Sequence, residues 1–275
     1  GNHRNLHSFP TRRSSDLRLL GIPKISETIN SIPGISHETR QELLNKTLHR
    51  LGFEEIRFQI NIDKITEGAY LLLEGKKTEY NEPDIDWYTR FFGIAKEISN
   101  DEMQKIWSSI LAREIEKPGS VSLYTLDVLK KIGQKEAILF NEFCNYTLVI
   151  RGSRCIFNCQ KQGHLIPFNY EDLIKLEYIG LINLNTNSKI KPCFDDPEGT
   201  SINFWRYYIN YQNKLITLKY PFHVDLKFKV FLLTIPGIEI FNVINNLIFE
   251  KDYLELIVGY LRNTLSGYNV QITNL

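Results

Sequence analysis

The stretch from Asn100 to Ala137, NDEMQKIWSSILAREIEKPGSVSLYTLDVLKKIGQKEA, constrains the fold more than any other part of the chain. Ser99 is the expected N-cap, and Glu102, three residues on, is placed to close a capping box. Met103, Ile106, Trp107, Ile110 and Leu111 then recur at helical spacing and form one apolar face. Pro118 and Gly119 stop that helix. Ser120 or Ser122 opens a second, faced by Leu123, Leu126, Leu129 and Ile132. Gly133 is expected to end it in the left-handed conformation that a Cβ penalises. A third helix follows through Ala137, Phe140, Phe143 and Cys144. Helices this short are marginal alone, so they must pack on one another. Glu102, Arg113 and Glu114 are read as a cap and a solvated face rather than as a groove.

The flanking segments extend the same logic. Asp84 or Asp86 caps a helix bearing Trp87, Phe91, Ala95 and Ile98, so Trp87, Phe91, Met103, Trp107 and Leu111 form the expected core. Further upstream, Ser36 caps a helix from His37 to Leu51, faced by Leu43, Leu44, Thr47 and Leu48 and ended by Gly52. A separate helix is expected from Glu54 to Leu73. Gly1–Leu19 has no periodicity, and HSFPTRRSSDL reads as translated adapter sequence, so residues 1–19 are expected to be a disordered or non-native leader.

From Tyr146 the texture changes. Short strand-like runs at Tyr146–Ile150 and Cys155–Asn158 flank Gly152. A helix from Glu171 to Ile179 ends at Gly180, and a strand follows at Leu181–Leu184. Phe204–Tyr211 and Lys214–Lys219 read as a hairpin turning at Gln212-Asn213. Leu226–Leu232 is another strand, Thr234 caps a helix to Ile248, Asp252 opens the last helix, and Tyr268–Ile272 closes as a strand. The fold class is therefore α+β, with a helical domain at 20–146 and a small mixed domain at 147–275. The order of elements in the second is winged-helix-like.

Asp86–Phe92 (DWYTRFF), Ser99–Ile115 (SNDEMQKIWSSILAREI), Pro118–Leu126 (PGSVSLYTL) and Lys135–Ala137 (KEA) resemble a bacterial family known as a domain of unknown function, number 2806. A shorter segment, Trp107–Glu114, is similar to the alpha type of abortive-infection proteins. That second resemblance implies a setting in defence against phage. Neither implies catalytic residues.

Charge and composition narrow the function. A net charge of +1 argues against a strongly steered nucleic-acid binder, though not against a local basic patch. No run approaches the length of a membrane span, so no membrane association is expected. Four cysteines are too few to staple 275 residues, and with no signal peptide visible the expected location is cytoplasmic. Cys155, Cys159, His164 and Cys193 are zinc ligands by type, but buried free thiols are the commoner outcome, and neither metal nor cofactor is expected. Cys144, Cys155 and Cys159 lack the elbow or oxyanion signature of a nucleophile.

Lys189, Lys191, Arg206, Lys214 and Lys219, interleaved with Tyr208 and Tyr211, are the candidate nucleic-acid-binding set, because basic groups follow a phosphate backbone while aromatic rings stack bases. The alternative for that hairpin is an aromatic face packed inward. Asp195, Asp196 and Glu198 form an acidic loop that a metal-dependent nuclease would use. The leading expectation is a non-enzymatic binding or regulatory component of an antiphage system. It would act through a protein partner or a homo-oligomer docking on exposed aromatics. A nucleic-acid- or nucleotide-binding regulator and a metal-dependent nuclease are the alternatives.

Overall fold

The computed structural model describes residues 22–76, 84–150, 152–157, 168–184, 204–221, 230–244, 247–264, 266 and 270–274. The chain divides into two compact units between Ile60 and Asn61.

The first unit holds α1 (Ile22–Asn30) and the beginning of α2 (His37–Leu73). Gly34, at φ +77°, takes the left-handed conformation in the link between them. The Ser36 hydroxyl accepts from Thr39 N at 3.2 Å, which fixes the start of α2. The expected break at Gly52 does not occur, and one helix of 37 residues replaces two. Gly52 is followed by Phe-Glu-Glu-Ile, with no left-handed turn to divert the chain, so the helix continues at a cost of about 1 kcal/mol relative to Ala. Nor are Leu43, Leu44, Thr47 and Leu48 buried. Helical spacing defines a stripe but not what covers it.

The second unit is built on the expected aromatic core. Helices α3 (Ile85–Ala95), α4 (Asp101–Glu116), α5 (Leu123–Leu129) and α6 (Gln134–Asn145) pack around Trp87, Phe91, Met103, Trp107 and Leu111, all buried. The Trp87 and Phe91 rings stack at 5.1 Å, and Phe91 meets Trp107 at 5.2 Å. The Trp87 indole donates to Val121 O at 2.8 Å, so its polar edge is satisfied inside the core.

Local capping departs from the sequence reading at two points. Asn100, not Ser99, caps α4 by accepting from Met103 N at 3.0 Å. Ser99 is taken up elsewhere, accepting from Asn61 Nδ2 at 3.0 Å. Gly133 is extended rather than left-handed, and serves as the N-cap of α6, with its N–H held by Glu136 Oε2 at 3.0 Å. The expectation that it ends the preceding helix is corrected: α5 closes earlier, at Leu129.

The remaining elements form a mixed region. They are β1 (Leu148–Ile150), β2 (Ser153–Phe157), α7 (Tyr170–Ile179), β3 (Ile182–Asn183), β4 (Phe204–Tyr211), β5 (Lys214–Pro221), β6 (Val230–Leu233), α8 (Ile235–Phe241), α9 (Lys251–Thr264) and β7 (Val270–Asn274). The fold is α+β, helical first and mixed after. The strands make one sheet in the order β3-β6-β2-β1-β4-β5-β7, and every neighbouring pair is antiparallel. The helix, glycine, strand order noted in the sequence is α7, Gly180 and β3, set at one end of this sheet. The turn at Gln212-Asn213 is as expected, with Tyr211 opposite Lys214 and Gln212 at φ +49°. The expected strand at 226–232 is seen only from Val230, since 222–229 lie outside the described residues. Helix α8 stops at Phe241, short of Ile248.

Tyr146 marks a change of secondary structure but not of core. Buried residues from Ile65 on α2 through Phe143 on α6 to Ile216 on β5 and Leu261 on α9 belong to one apolar cluster. Among the described residues no helix is long and apolar enough to cross a membrane.

Candidate functional site: a tyrosine surface around Gly180

Helix α7 has two apolar faces. Leu173, Leu176 and Ile179 are buried, whereas Tyr170, Ile174 and Tyr178 follow at four-residue spacing on the other side and are exposed. Asn169 caps the helix by accepting from Asp172 N at 2.9 Å. Gly180 ends it at φ +99°, a conformation open to glycine without strain, and its N–H bonds Leu176 O and Glu177 O.

Two further helices converge on that glycine. Thr234, the cap of α8, donates its hydroxyl to Gly180 O at 2.5 Å and its N–H to Leu181 O at 3.0 Å. A Cβ on Gly237 would run into Leu181 O, so α8 can approach this closely only with glycine there. From α5, Val128 Cγ2 and Tyr124 Oη lie 3.8 and 3.9 Å from the position a Gly180 Cβ would occupy. Helices α5 and α8 are also tied directly. One Glu239 carboxylate oxygen accepts from Ser122 N at 2.8 Å, Ser122 Oγ at 3.0 Å and Thr125 Oγ1 at 2.6 Å.

This bracing holds a surface that the core does not use. Tyr178 is 91% exposed, Ile235 66% and Tyr124 62%, with Leu123, Ile174 and Tyr170 beside them on the same helices. Isolated exposed apolar residues need no explanation, but Tyr124, Tyr178 and Ile235 are brought together around Gly180: the Tyr124 hydroxyl lies beside it, Tyr178 is two residues before it, and Ile235 follows the threonine that bonds its carbonyl. Chemically, such a surface can bury apolar area and offer phenol hydroxyls for hydrogen bonds, as protein-binding surfaces do. Helical spacing alone marks α7 without showing which of its faces is covered. The visible signal was Tyr170, Ile174 and Tyr178 at four-residue spacing opposite Leu173 and Leu176, which is more apolar surface than one core contact needs.

The sequence-based candidates are distributed otherwise. Lys189 and Lys191 lie outside the described residues, as do Cys159, His164, Cys193, Asp195, Asp196 and Glu198. Arg206 and Lys219 occupy opposing register positions on β4 and β5, and Tyr208 stands opposite Thr217. Tyr208 and Lys214 are half-buried. Tyr211 is not a stacking residue. It is fully buried between Phe249 and Tyr253, its hydroxyl donates to Asn145 O at 2.8 Å, and it accepts from Glu250 N at 3.0 Å. Burial pushes its phenol up to about 12.

Glu114 is likewise no part of a solvated face. Only 4% exposed, it accepts from Gly119 N at 2.6 Å and Val121 N at 3.0 Å, and so closes the Pro118-Gly119 loop. Within the segment Trp107–Glu114, Trp107, Ile110, Leu111 and Ala112 are core and Glu114 is a loop clamp, so that pattern encodes packing. Cys144 and Cys155 are free and buried, and burial raises both thiols, that of Cys155 to about 12. Among the described residues no group of three or more His, Cys, Asp or Glu is placed to hold a metal ion.

Comparison with curated proteins and with solved structures gives no match. The family model described as "Protein of unknown function (DUF2806)" matches residues 45–258, a span covering α3 through α8 and the braced helices α5, α7 and α8, and the chain belongs to that family.

Proposed function

We propose that this protein is a non-enzymatic binding component that docks a protein partner on the tyrosine surface of α5, α7 and α8. The observation that carries this reading is Tyr178, almost fully exposed beside a glycine that three helices hold in place. Exposed tyrosines on a rigid support lose little conformational freedom on binding, so more of the buried area contributes to affinity. The resemblance of Trp107–Glu114 to abortive-infection proteins, a segment whose residues here pack the core, is the basis for placing the protein in a bacterial antiphage system. The free thiols of Cys144 and Cys155 support a cytoplasmic setting. The nucleic-acid reading loses Tyr211 to the core and is the weaker one.

A photo-crosslinking residue at position 178, in the protein expressed in a bacterial cytoplasm, tests the proposal. A discrete protein adduct is expected, one that disappears with Tyr124→Asp or Ile235→Asp and does not form from exposed position 171. Truncating Tyr178 to Ala should weaken the complex by roughly 2 kcal/mol. Adducts equal at positions 171 and 178, or adducts with nucleic acid, would overturn the reading.

A further inference from the structure

Among the described residues the sheet has seven strands, and its two ends differ in chemistry. At one end β3 is only two residues long, and Leu184 N just beyond it donates to Glu177 Oε1 at 2.8 Å. That edge is short and partly blocked by a side chain. At the other end β7 runs Val-Gln-Ile-Thr-Asn, with no proline and no charge. Those are the devices by which edge strands normally refuse a neighbour. Among the described residues nothing pairs with its outer side.

The register shows what that edge is suited to receive. Ile150 on β1 stands opposite Ile209 on β4, Ile209 opposite Ile216 on β5, and Ile216 opposite Ile272 on β7. One row of isoleucines thus crosses four strands, and its first three members are fully buried. The row reaches the sheet edge at the central residue of β7.

We infer that β7 pairs antiparallel with β7 of a second copy of this chain, about a two-fold axis at Ile272. That axis sets Ile272 against Ile272 of the second copy and continues the isoleucine row into the second sheet. Gln271 then faces Thr273 of the other chain, and Val270 faces Asn274. Cross-strand β-branched pairs are favourable, and an antiparallel strand is its own complement about a two-fold axis. Because, among the described residues, β7 is the long edge and β3 is short and partly blocked, association closes at two copies and does not grow into a fibre. If the docking reading also holds, on which this consequence rests, the dimer carries one tyrosine surface at each far end, and a multivalent partner gains avidity.

The test uses the full chain, with mass measured in solution across concentration. A dimer is expected by about 100 µM. Gln271→Lys with Thr273→Lys places lysines opposite lysines across the axis and should raise the dissociation constant at least about tenfold, an effect reduced by added salt. Gln271→Cys with Thr273→Cys should form an interchain disulfide between those two positions on mild oxidation, mapped by peptide mass spectrometry. A wild-type monomer at that concentration overturns the inference. So does a dimer that ignores the lysines and forms no such disulfide, or one in which a strand of another protein occupies the edge. Tyr178→Arg should leave the dimer intact, which separates failure of this inference from failure of the docking proposal.

Discussion

The Glu239 carboxylate accepts a hydrogen bond from Thr125 Oγ1 at 2.6 Å, joining the first half of the chain to the helix that follows the last central strand. The same oxygen serves Ser122, the cap of α5. A bond to a charged acceptor contributes roughly 1.5–3 kcal/mol. Glu239→Ala should therefore destabilise the protein by about 2–3 kcal/mol in denaturant titrations. A double-mutant cycle with Thr125→Val should return a coupling of about 1 kcal/mol or more. A coupling near zero would mean that the contact is incidental.

Glu114 gives a sharper case because it is buried. Glu114→Ala leaves the N–H groups of Gly119 and Val121 without their acceptor, at roughly 1–3 kcal/mol each. Glu114→Gln keeps one acceptor oxygen and should fall between wild type and Ala. Equal stabilities for the two variants would show that the loop finds other partners.

Close packing of α2 on α4 sets a third expectation. A Cβ on Gly68 would collide with the Ser108 side chain, whose single hydroxyl proton is shared between Gln104 O at 2.8 Å and Ile65 O at 3.0 Å. Gly68→Ala should lose roughly 1–3 kcal/mol to overpacking, despite the better helix propensity of alanine. Adding Ser108→Ala removes the nearest atom and should recover part of that loss. Thermal unfolding of the single and double variants decides it.

Alkaline pH should unfold the protein through its buried phenols. Burial, helped for Tyr88 by the nearby Glu114 charge, pushes Tyr88 and Tyr211 up to about 12 from an ordinary value of 10. The unfolded chain therefore releases these protons first. Their contribution to stability is intact below about pH 10 and is lost as the pH rises toward 12. Phenolate absorbance should rise together with loss of helical circular dichroism in that window, and Tyr88→Phe should lessen the dependence. Ionisation of both phenols near pH 10 with the fold intact would contradict it.

Thiol chemistry provides a fifth check. Cys144 and Cys155 are buried with raised thiols, so alkylation at neutral pH should spare both in the folded protein and modify both after denaturation. Peptide mass spectrometry reads each site separately. Rapid labelling of Cys155 in the native state would show that β2 is open to solvent.

Most of the second unit's helices and its central hairpin were legible in the sequence, because periodicity and caps act over a few residues. Asp84, Ser122, Asn169 and Thr234 each cap the helix they precede, using their own side chains. The choice between Asn100 and Ser99 was not local, since Ser99 is held by Asn61, 38 residues away in sequence. Glu114 and Tyr211 resemble surface residues by type, and only their distant partners show otherwise.

By itself the sequence determined the apolar faces, the Gln212-Asn213 turn and the aromatic core around Trp107, since these follow from side-chain spacing and backbone preference. It could not determine which of two apolar faces on α7 would be covered, because burial is assigned by what packs opposite. Tertiary structure decided that. Thr234 and Gly237 bring α8 against Gly180 and Leu181, Leu173 and Leu176 turn to the core, and Tyr178 is left to solvent. The isoleucine row is of the same kind. Ile150, Ile209, Ile216 and Ile272 are scattered in sequence, and only strand register brings them into line.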